Sequence, residues 1–237
     1  MVFMLKQIII KTLGQNLVER LYLELTKLRI KLYGKDAIRI FHEIVCGSGK
    51  TYWLAFGSLL GAYREKGFIK NDDDIDVSMF CSDITPDLIK SMKKGGFVFD
   101  HCILTDDRQF CQLSFKYHKI PFDIYGFKKI DDNADNIIGF IPRALHAKDW
   151  EESFKLNRFK ILHVTMPFGG VTTTDFAGIK ACIPLSTPEF LRRHYGEDFM
   201  TPIEGKKGNS RDTITEIPIE SQTASIVPLT EFFKNFN

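Results

Sequence analysis

The sequence predicts an α+β fold in which a mixed β-sheet is flanked by helices, with further helices at the N-terminus. Three observations favour this class. Apolar residues recur at helical spacing over residues 16–46, and short β-rich runs separated by polar turns fill residues 97–127. Between these regions, the run WLAFGSLLGAYREKGFIKNDDDIDVSMF at residues 53–80 indicates a strand, a glycine turn, a helix, a loop and an acidic strand.

Two helices are expected before residue 48. Gly34 is predicted to separate them, and the second is predicted to end near Gly47. The GSGKT run at this point resembles a phosphate loop, but Ile44 stands where such a loop requires a glycine, five positions before Gly49. We therefore interpret this run as a helix C-cap and loop. Five leucines of the first helix recur at intervals of three and four residues: Leu17, Leu21, Leu25, Leu28 and Leu32.

The turn after the predicted strand at residues 53–56 has the chemistry of a phosphate site. Gly57 and Ser58 are expected to form a tight turn with a helix cap, and residues 59–65 the first turns of a helix. The N–H groups at a helix N-terminus are unpaired and the dipole is positive there. Gly57 would allow a phosphate to approach, and the Ser58 hydroxyl would add a donor. Arg64 is expected either to contact a donor phosphate or to pair with the acidic loop.

Asp74 and Asp76 are the predicted metal ligands. If residues 74–80 form a strand, alternation places both carboxylates on one side, with Ile75 and Val77 buried on the other. Two carboxylates at this spacing can chelate a divalent cation, and Mg²⁺ or Mn²⁺ completed by phosphate oxygens is the usual arrangement. The alternative interpretation of the run DDDID is an acidic surface turn.

Residues 85–127 are expected to continue the fold with one helix and three strands. Thr85-Pro86 has the chemistry of a helix start, and Gly95-Gly96 that of a helix end. The strands are predicted at residues 97–104, 109–117 and 120–127, the last two joined by a hairpin.

Asp123 is the third predicted site residue because it lies in an otherwise apolar run, PFDIYGF. A carboxylate on a buried strand is costly unless it meets a cation or a proton donor. It would accept a proton from an attacking hydroxyl or join the metal shell. The alternative is an ordinary ion pair with a nearby lysine or arginine. Together with Asp74 and Asp76, Asp123 would form a site for phosphoryl or nucleotidyl transfer.

The C-terminal half is expected to hold two more strands, at residues 137–141 and 159–165, and a helix capped by Ser186. Beyond Pro202 the chain is rich in Ser, Thr and Pro and is expected to be mobile. Three phenylalanines near its end are expected to dock back on the domain: Phe232, Phe233 and Phe236.

Three motifs together resemble the LicD and fukutin family of the nucleotidyltransferase-fold superfamily. The run FGSLLGAYREKGFIKNDDDIDVSMF is similar to the family's main signature, and PFDIYGF to its third-carboxylate strand. PFGG followed by IPLSTPEFLRRHYGEDFMTP resembles its C-terminal signature. The resemblance spans residues 50–202. Lys70-Asn71 departs from the Pro-Trp that many relatives carry before the acidic run, a difference that concerns the loop and not the carboxylates.

The resemblance implies a nucleotidyltransferase-like fold and a metal-dependent transferase. The donor would be a CDP-activated alcohol such as CDP-choline or CDP-ribitol, and the acceptor a hydroxyl of a glycan or lipid-linked sugar, with CMP released. Arg64 matches the family's arginine at this place. Two alternatives remain open: a true nucleotidyltransferase that uses NTP and releases pyrophosphate, and a non-enzymatic subunit of glycan assembly. Intact Asp74, Asp76 and Asp123 argue against the latter.

The organisation that follows has an N-terminal helical segment at 1–48 packed on the core, a catalytic domain at 49–203 and a C-terminal tail at 204–237, all within one domain. With 32 basic and 30 acidic residues, the overall charge is nearly balanced and does not favour nucleic acid as a partner. Five cysteines without a CxxC pair favour a reducing compartment, so a cytoplasmic protein is expected. The apolar run MVFMLKQIIIKTLG at residues 1–14, with basic residues in excess up to Arg39, is expected either to pack on the domain or to contact an anionic membrane surface, such as the inner membrane face.

Overall fold

The computed structural model describes residues 15–70, 72–130, 136–146, 149–202, 214–216 and 222–234. These residues form one mixed sheet with helices packed around it, which confirms the predicted α+β class. The helices are α1 Gln15–Arg29, α2 Lys35–Gly47, α3 Phe56–Arg64, α4 Pro86–Lys94, α5 Trp150–Leu156, α6 Thr187–Tyr195 and α7 Leu229–Lys234. The strands are β1 Tyr52–Leu54, β2 Ile75–Phe80, β3 Val98–Thr105, β4 Phe110–Tyr117, β5 Ile120–Lys129, β6 Asn136–Arg143, β7 Phe159–Pro167, β8 Val171–Phe176, β9 Ile179–Pro184, β10 Ile214–Glu216 and β11 Thr223–Val227.

Within the described residues, nine strands share the main sheet, in the order β1-β2-β5-β4-β3-β11-β7-β10. Strand β6 pairs with both β5 and β7, so six strands (β3 to β7 and β11) close into a ring of hydrogen-bonded neighbours. Of the strand pairs in the described part of the chain, β2 and β5 run parallel to one another, whereas the others are antiparallel. Strands β8 and β9 form a separate hairpin. The parallel pair positions the candidate site described below.

Two apolar clusters hold these layers together. The larger one packs α2, α3 and α4 against the sheet and is rich in aromatic side chains, with Trp53, Phe41 and Phe122 almost fully buried. The smaller one takes its members from strands of the closed ring: Ile103, Cys111, Phe159, Ile161 and Ala224. Burial of apolar area on this scale supplies most of the stabilisation of the fold.

The N-terminal helices are continuous, so the prediction that Gly34 separates them was wrong. A π-helical turn, Ile30–Gly34, joins α1 to α2, and Gly34 keeps right-handed helical dihedral angles. A Cβ atom at Gly34 would lie 2.9 Å from a ring carbon of Phe68, so this glycine permits close packing and does not end the helix. Helix α2 does end at Gly47, as the sequence predicted.

Helices α1 and α2 differ in how they meet the rest of the chain. Helix α2 buries one face, including Ile38 and Val45, in the core. Helix α1 and the π-helical turn after it instead leave the periodic leucines exposed. The exposed fractions lie between 44% and 60% for the set that comprises Leu17, Leu21, Leu25, Leu28 and Leu32. Periodicity therefore identified an amphipathic helix, but little of the described part of the chain packs against its apolar face.

Local chemistry correctly predicted several other boundaries. Thr85 caps α4 by accepting a hydrogen bond from the Leu88 N–H, and Pro86 is the first helical residue. Strands β4 and β5 form the expected hairpin, whose two turn residues, His118 and Lys119, have φ values of 48° and 66°. Ser186 is an exception, since its side chain does not cap α6 and its hydroxyl donates to the Pro167 carbonyl.

The C-terminal segment is part of the sheet, which corrects the expectation of a mobile tail for residues 222–234. Strand β11 lies between β3 and β7 and pairs with both. Phe232 of α7 is fully buried and packs on the ring of Phe110, as the sequence predicted for its docking. Residues 214–216 of the predicted tail also join the sheet, as β10 beside β7. Phe236 and the other tail residues lie outside the described residues.

Candidate active site

Asp76 and Asp123 occupy adjacent positions on the two parallel strands of the sheet. Strand β2 places Asp76 in register with Asp123 of β5, and Asp74 lies just before β2. One carboxylate oxygen from each of the three residues lies within 4.8 Å of the others. The structure thus brings together the three acidic residues singled out by the sequence.

The donor set and its electrostatics fit a divalent cation. Asp76 is buried, and its Oδ1 atom has no hydrogen-bond partner among the described residues. Burial raises the pKa of Asp76, and the neighbouring carboxylates Asp74 and Asp123 raise it further. A bound divalent cation would relieve this repulsion and satisfy the orphaned oxygen, and carboxylate oxygens are the ligands that Mg²⁺ and Mn²⁺ prefer.

A chain of polar side chains on β4 holds Asp123. The Ser114 hydroxyl donates to Asp123 Oδ1, and Gln112 Nε2 donates to Ser114 Oγ at 3.3 Å. Burial raises the pKa of Asp123, although the hydrogen bonds from Ser114 and Gln112 act in the opposite direction. Within the described part of the chain, these two residues are its side-chain partners, so the alternative of an ion pair with a lysine or arginine is not what this structure contains.

Helix α3 begins one turn earlier than the sequence predicted. It starts at Phe56, whose positive φ of 43° allows the sharp change of direction after β1. Ser58 is therefore inside the first turn and is not a cap, because a helix cap precedes the helix. Its Oγ atom accepts the Asp76 backbone N–H at 3.0 Å. This hydrogen bond fixes the acidic strand against the helix. That the Ser58 hydroxyl donates a hydrogen bond to a bound phosphate stays a prediction.

Gly57 faces a fourth carboxyl group, that of Asp72. A Cβ atom at Gly57 would lie 2.9 Å from Asp72 Oδ1, so the glycine permits this contact. Burial, followed by the charges of Asp74 and Asp73, raises the pKa of Asp72 to about 8. Asp72 belongs to the acidic run that the sequence analysis singled out, but the alternation argument applied only from Asp74 onward. It could not distinguish Asp72, which is buried, from Asp73, which is exposed.

Two arginines differ in their relation to the acidic residues. The Arg64 guanidinium bonds Glu65 Oε1 at 2.6 Å and the Phe199 carbonyl at 3.2 Å, so its contact with a donor phosphate stays a prediction. Arg143, at the end of β6, lies close enough to lower the pKa of Asp76 and of Tyr125. The sequence analysis did not identify Arg143, since its proximity depends on the pairing of β6 with β5.

Aromatic side chains surround the acidic residues on the side of α6. Burial, followed by the charges of Asp76 and Asp123, raises the pKa of Tyr125. The ring of Phe56 packs edge-on against Tyr125, with centroids 5.0 Å apart. The pKa of Tyr195 is raised by burial and then by Asp76. These residues form an apolar wall beside a highly charged centre, which strengthens the electrostatic interactions inside the site.

His194 is a buried neutral base behind this wall. It is 5% exposed, its ring stacks on Phe190, and its Nδ1 atom has no partner among the described residues. Burial, followed by the charge of Arg143, lowers the pKa of His194 to about 4. Since the unfolded state takes up this proton first, folding stability is complete above pH ~6.5 and is lost as pH falls toward the folded value.

Because of His194, the free energy of unfolding is predicted to fall by about 3 kcal/mol between pH 7 and pH 4, since each pKa unit corresponds to about 1.4 kcal/mol. We expect His194→Phe to remove this part of the acid destabilisation, measured by urea unfolding across that range. The exposed His146 provides a control, since His146→Gln should keep the original pH dependence. If His194→Phe loses as much stability between pH 7 and pH 4 as the unsubstituted protein, other groups govern the acid destabilisation.

Comparison with known proteins identifies the family of this chain. The family described as LicD/FKTN/FKRP, nucleotidyltransferase domain, matches residues 49–184, which contain all three acids. The ribitol-5-phosphate transferase FKTN of Mus musculus is 24% identical over 171 residues, covering 72% of this chain and 34% of that protein. The Homo sapiens protein of the same name is 22% identical over the same length, with the same coverage.

Bacterial sequences also match. An uncharacterized protein of Rickettsia prowazekii is 34% identical over 71 residues, or 26% of this chain and 27% of that protein. The chain thus spans about a third of the length of the transferases that it matches. No helix in the described part of the chain has both the length and the apolar character needed to cross a bilayer.

Proposed function

Because this chain belongs to the LicD family of phosphotransferases, we propose that it moves a phospho-alcohol group from a CDP-activated donor to a hydroxyl of a glycan or glycoconjugate precursor. The transferred group would resemble phosphocholine or an alditol phosphate, and CMP would leave. The observation that carries this proposal is the cluster of Asp74, Asp76 and Asp123, whose ligand oxygens lie within 4.8 Å of one another. Three carboxylates forced together in this way are suited to a divalent cation and a diphosphate.

Each acid has a distinct proposed role. Asp74 and Asp76 would hold Mg²⁺ or Mn²⁺, which when bound supplies positive charge that neutralises the leaving phosphate. Asp123 would accept the proton of the attacking hydroxyl, a role that suits a carboxylate whose pKa is raised by burial. Ser114 would orient Asp123 through the hydrogen bond to Oδ1. As an alternative, Asp123 would serve as a third ligand.

The donor diphosphate would bind at the first turn of α3. Gly57 and Ser58 lie in this turn, where backbone N–H groups without intrahelical acceptors favour an anion. Arg64 would reach the donor by exchanging its present contact with Glu65. The rings of Phe56 and Tyr125 would exclude water from the reacting groups.

A donor panel tests the proposal directly. Purified protein would be incubated with CDP-choline, CDP-ribitol or CTP in the presence of Mg²⁺ or Mn²⁺ and a glycan acceptor, with CMP and pyrophosphate measured separately. Acceptor-dependent CMP release from one CDP-alcohol is the expected result. Pyrophosphate release from CTP would instead support a true nucleotidyltransferase. Absence of both products with every donor, from folded protein that binds the cation, would favour a non-enzymatic role in glycan assembly.

We also propose that α1 contacts an anionic membrane surface, where a lipid-linked acceptor would be found. Its exposed leucines form one stripe along the helix, and at about 100° per residue Arg20, Glu24 and Lys27 lie along one side of that stripe. Lys27 Nζ pairs with Glu24 Oε1 at 2.9 Å, and Lys31 follows in the π-helical turn. An apolar stripe whose flank carries a net positive charge favours binding in the plane of an anionic interface. Contact with the cytoplasmic face of the inner membrane would place the site near such an acceptor.

Vesicle co-sedimentation tests this contact. The protein is expected to bind vesicles containing anionic lipid, with less binding at high salt, and Leu21→Glu with Leu25→Glu should abolish that binding. Leu156→Glu is a matched control, since Leu156 is equally exposed on α5. If the double variant keeps its vesicle binding but changes the oligomeric state, the stripe is an interface between copies of the chain.

A further inference from the structure

A second group of metal-ligating side chains lies outside the acidic site. It consists of His42 and Cys46 on α2 and Cys182 on β9. One ligand atom from each lies within 4.8 Å of the others. The two α2 residues are four positions apart and therefore on the same face of the helix. Cys182 comes from a distant part of the sequence, so only the tertiary fold completes the group.

The distances and chemistry of this group fit a tetrahedral zinc site. Nitrogen and sulfur ligands at about 2.0–2.3 Å from a tetrahedral Zn²⁺ lie about 3.3–3.8 Å from one another. The observed separation between Cys46 Sγ and His42 Nδ1 is 3.7 Å. Imidazole and thiolate ligands favour Zn²⁺ over Mg²⁺, which prefers oxygen. Cys46 is exposed, so the ion has a route of entry and a fourth position open to water.

The hydroxyl of Tyr52 contacts two of the three ligand residues, His42 and Cys182. Its hydroxyl lies 3.0 Å from His42 Nδ1, and it is also hydrogen-bonded by the backbone of Cys182. Its ring is fully buried and packs edge-on against Phe41, which fixes the hydroxyl in place. Because Nδ1 is also the nitrogen nearest Cys46 Sγ, this hydrogen bond would be exchanged for the metal bond when zinc binds, while the contact with the Cys182 backbone would remain. In the metal-free protein the buried tyrosine therefore holds the His42 ring beside the two cysteines.

We propose that His42, Cys46 and Cys182 form a Zn²⁺ site that fastens the N-terminal helix α2 to the β8–β9 hairpin. Each cysteine loses its thiol proton on binding and contributes a thiolate, while His42 contributes a neutral ring nitrogen. The site stabilises the packing of the helix against the hairpin at the edge of the sheet near β1. It is independent of the acidic site and of the proposed transferase activity.

Titration with Co²⁺ tests the site in the full chain, purified with reductant and stripped with a chelator. Thiolate ligation would appear as sulfur-to-cobalt charge-transfer absorption that saturates at one equivalent and is displaced by Zn²⁺. We expect Cys46→Ser and Cys182→Ser each to abolish this absorption, and also the rise in melting temperature caused by Zn²⁺. Asp74→Asn and Cys102→Ala are matched controls that should retain both signals.

The absence of thiolate absorption in the unsubstituted protein would overturn the proposal. Its persistence in folded Cys182→Ser would do the same. Cys182 is only partly exposed. If Cys182→Ser does not fold, Cys46→Ser decides the question, because Cys46 lies on the surface. Full absorption in folded Cys46→Ser would place the cobalt elsewhere.

Discussion

The Asp76→Asn variant is expected to fold normally and to lose both divalent-cation binding and turnover. Asn keeps the shape of the side chain but removes the charge, and a single carboxylate with water holds such an ion weakly. Turnover should fall by about a thousandfold or more, since charge neutralisation at a transferring phosphate contributes several kcal/mol and each ~1.4 kcal/mol is tenfold in rate. Calorimetric titration with Mn²⁺ and a CMP-release assay measure the two effects.

Folding of Asp76→Asn should not suffer, because the hydrogen bond to Ser58 uses the Asp76 backbone N–H and survives the substitution. The metal-free variant should melt at least as high as the parent, since an unpartnered buried carboxylate has been removed. Asp73→Asn is the matched control: it changes an exposed acid of the same run and should leave cation affinity unchanged. Normal cation binding in Asp76→Asn would remove the chelate from the proposed site.

The Asp123→Asn variant is expected to bind the cation and the donor but to transfer at least about a hundredfold more slowly, the lower bound for loss of a general base. The amide oxygen can still accept the Ser114 hydroxyl, so the local fold should persist. Single-turnover measurements of CMP release, with saturating donor, isolate the chemical step. Asp175→Asn is the control, because Asp175 is an exposed acid of the separate β8–β9 hairpin.

Two other outcomes for Asp123→Asn have clear meanings. Near-normal single-turnover transfer would exclude both proposed roles of Asp123. Strongly weakened cation affinity would identify it as a third metal ligand. Ser114→Ala, which leaves the carboxylate in place, should reduce the rate less than Asp123→Asn, because it removes only the group that orients the acid.

The sequence was informative wherever a local rule acts on adjacent residues. Thr85 and Pro86 start a helix because a side-chain oxygen and a fixed φ angle satisfy the first turn, whatever the rest of the fold does. The alternation around Asp74 and Asp76 predicted the acidic strand because side chains alternate between the faces of any strand. Asp123 was identified because an apolar run makes a carboxylate costly.

Local rules failed where packing chose between allowed conformations. Gly34 has the conformational freedom to end a helix, but the ring of Phe68 requires its small size inside one. Ser58 has the chemistry of a cap, but α3 begins at Phe56 and its hydroxyl bonds the acidic strand instead. In both cases the residue type was informative, whereas its role depended on a neighbour distant in sequence.

The sequence by itself determined the acidic residues, the main helices and strands, and the family. Only the tertiary structure decided which groups meet: Asp76 opposite Asp123 on parallel strands, Arg143 beside them, and Cys182 facing His42 and Cys46. The physical reason is that propensity, capping and periodicity act over a few residues. The pairing of strands and the packing of helices on a sheet depend on the free energy of the whole core, which no short window of sequence contains.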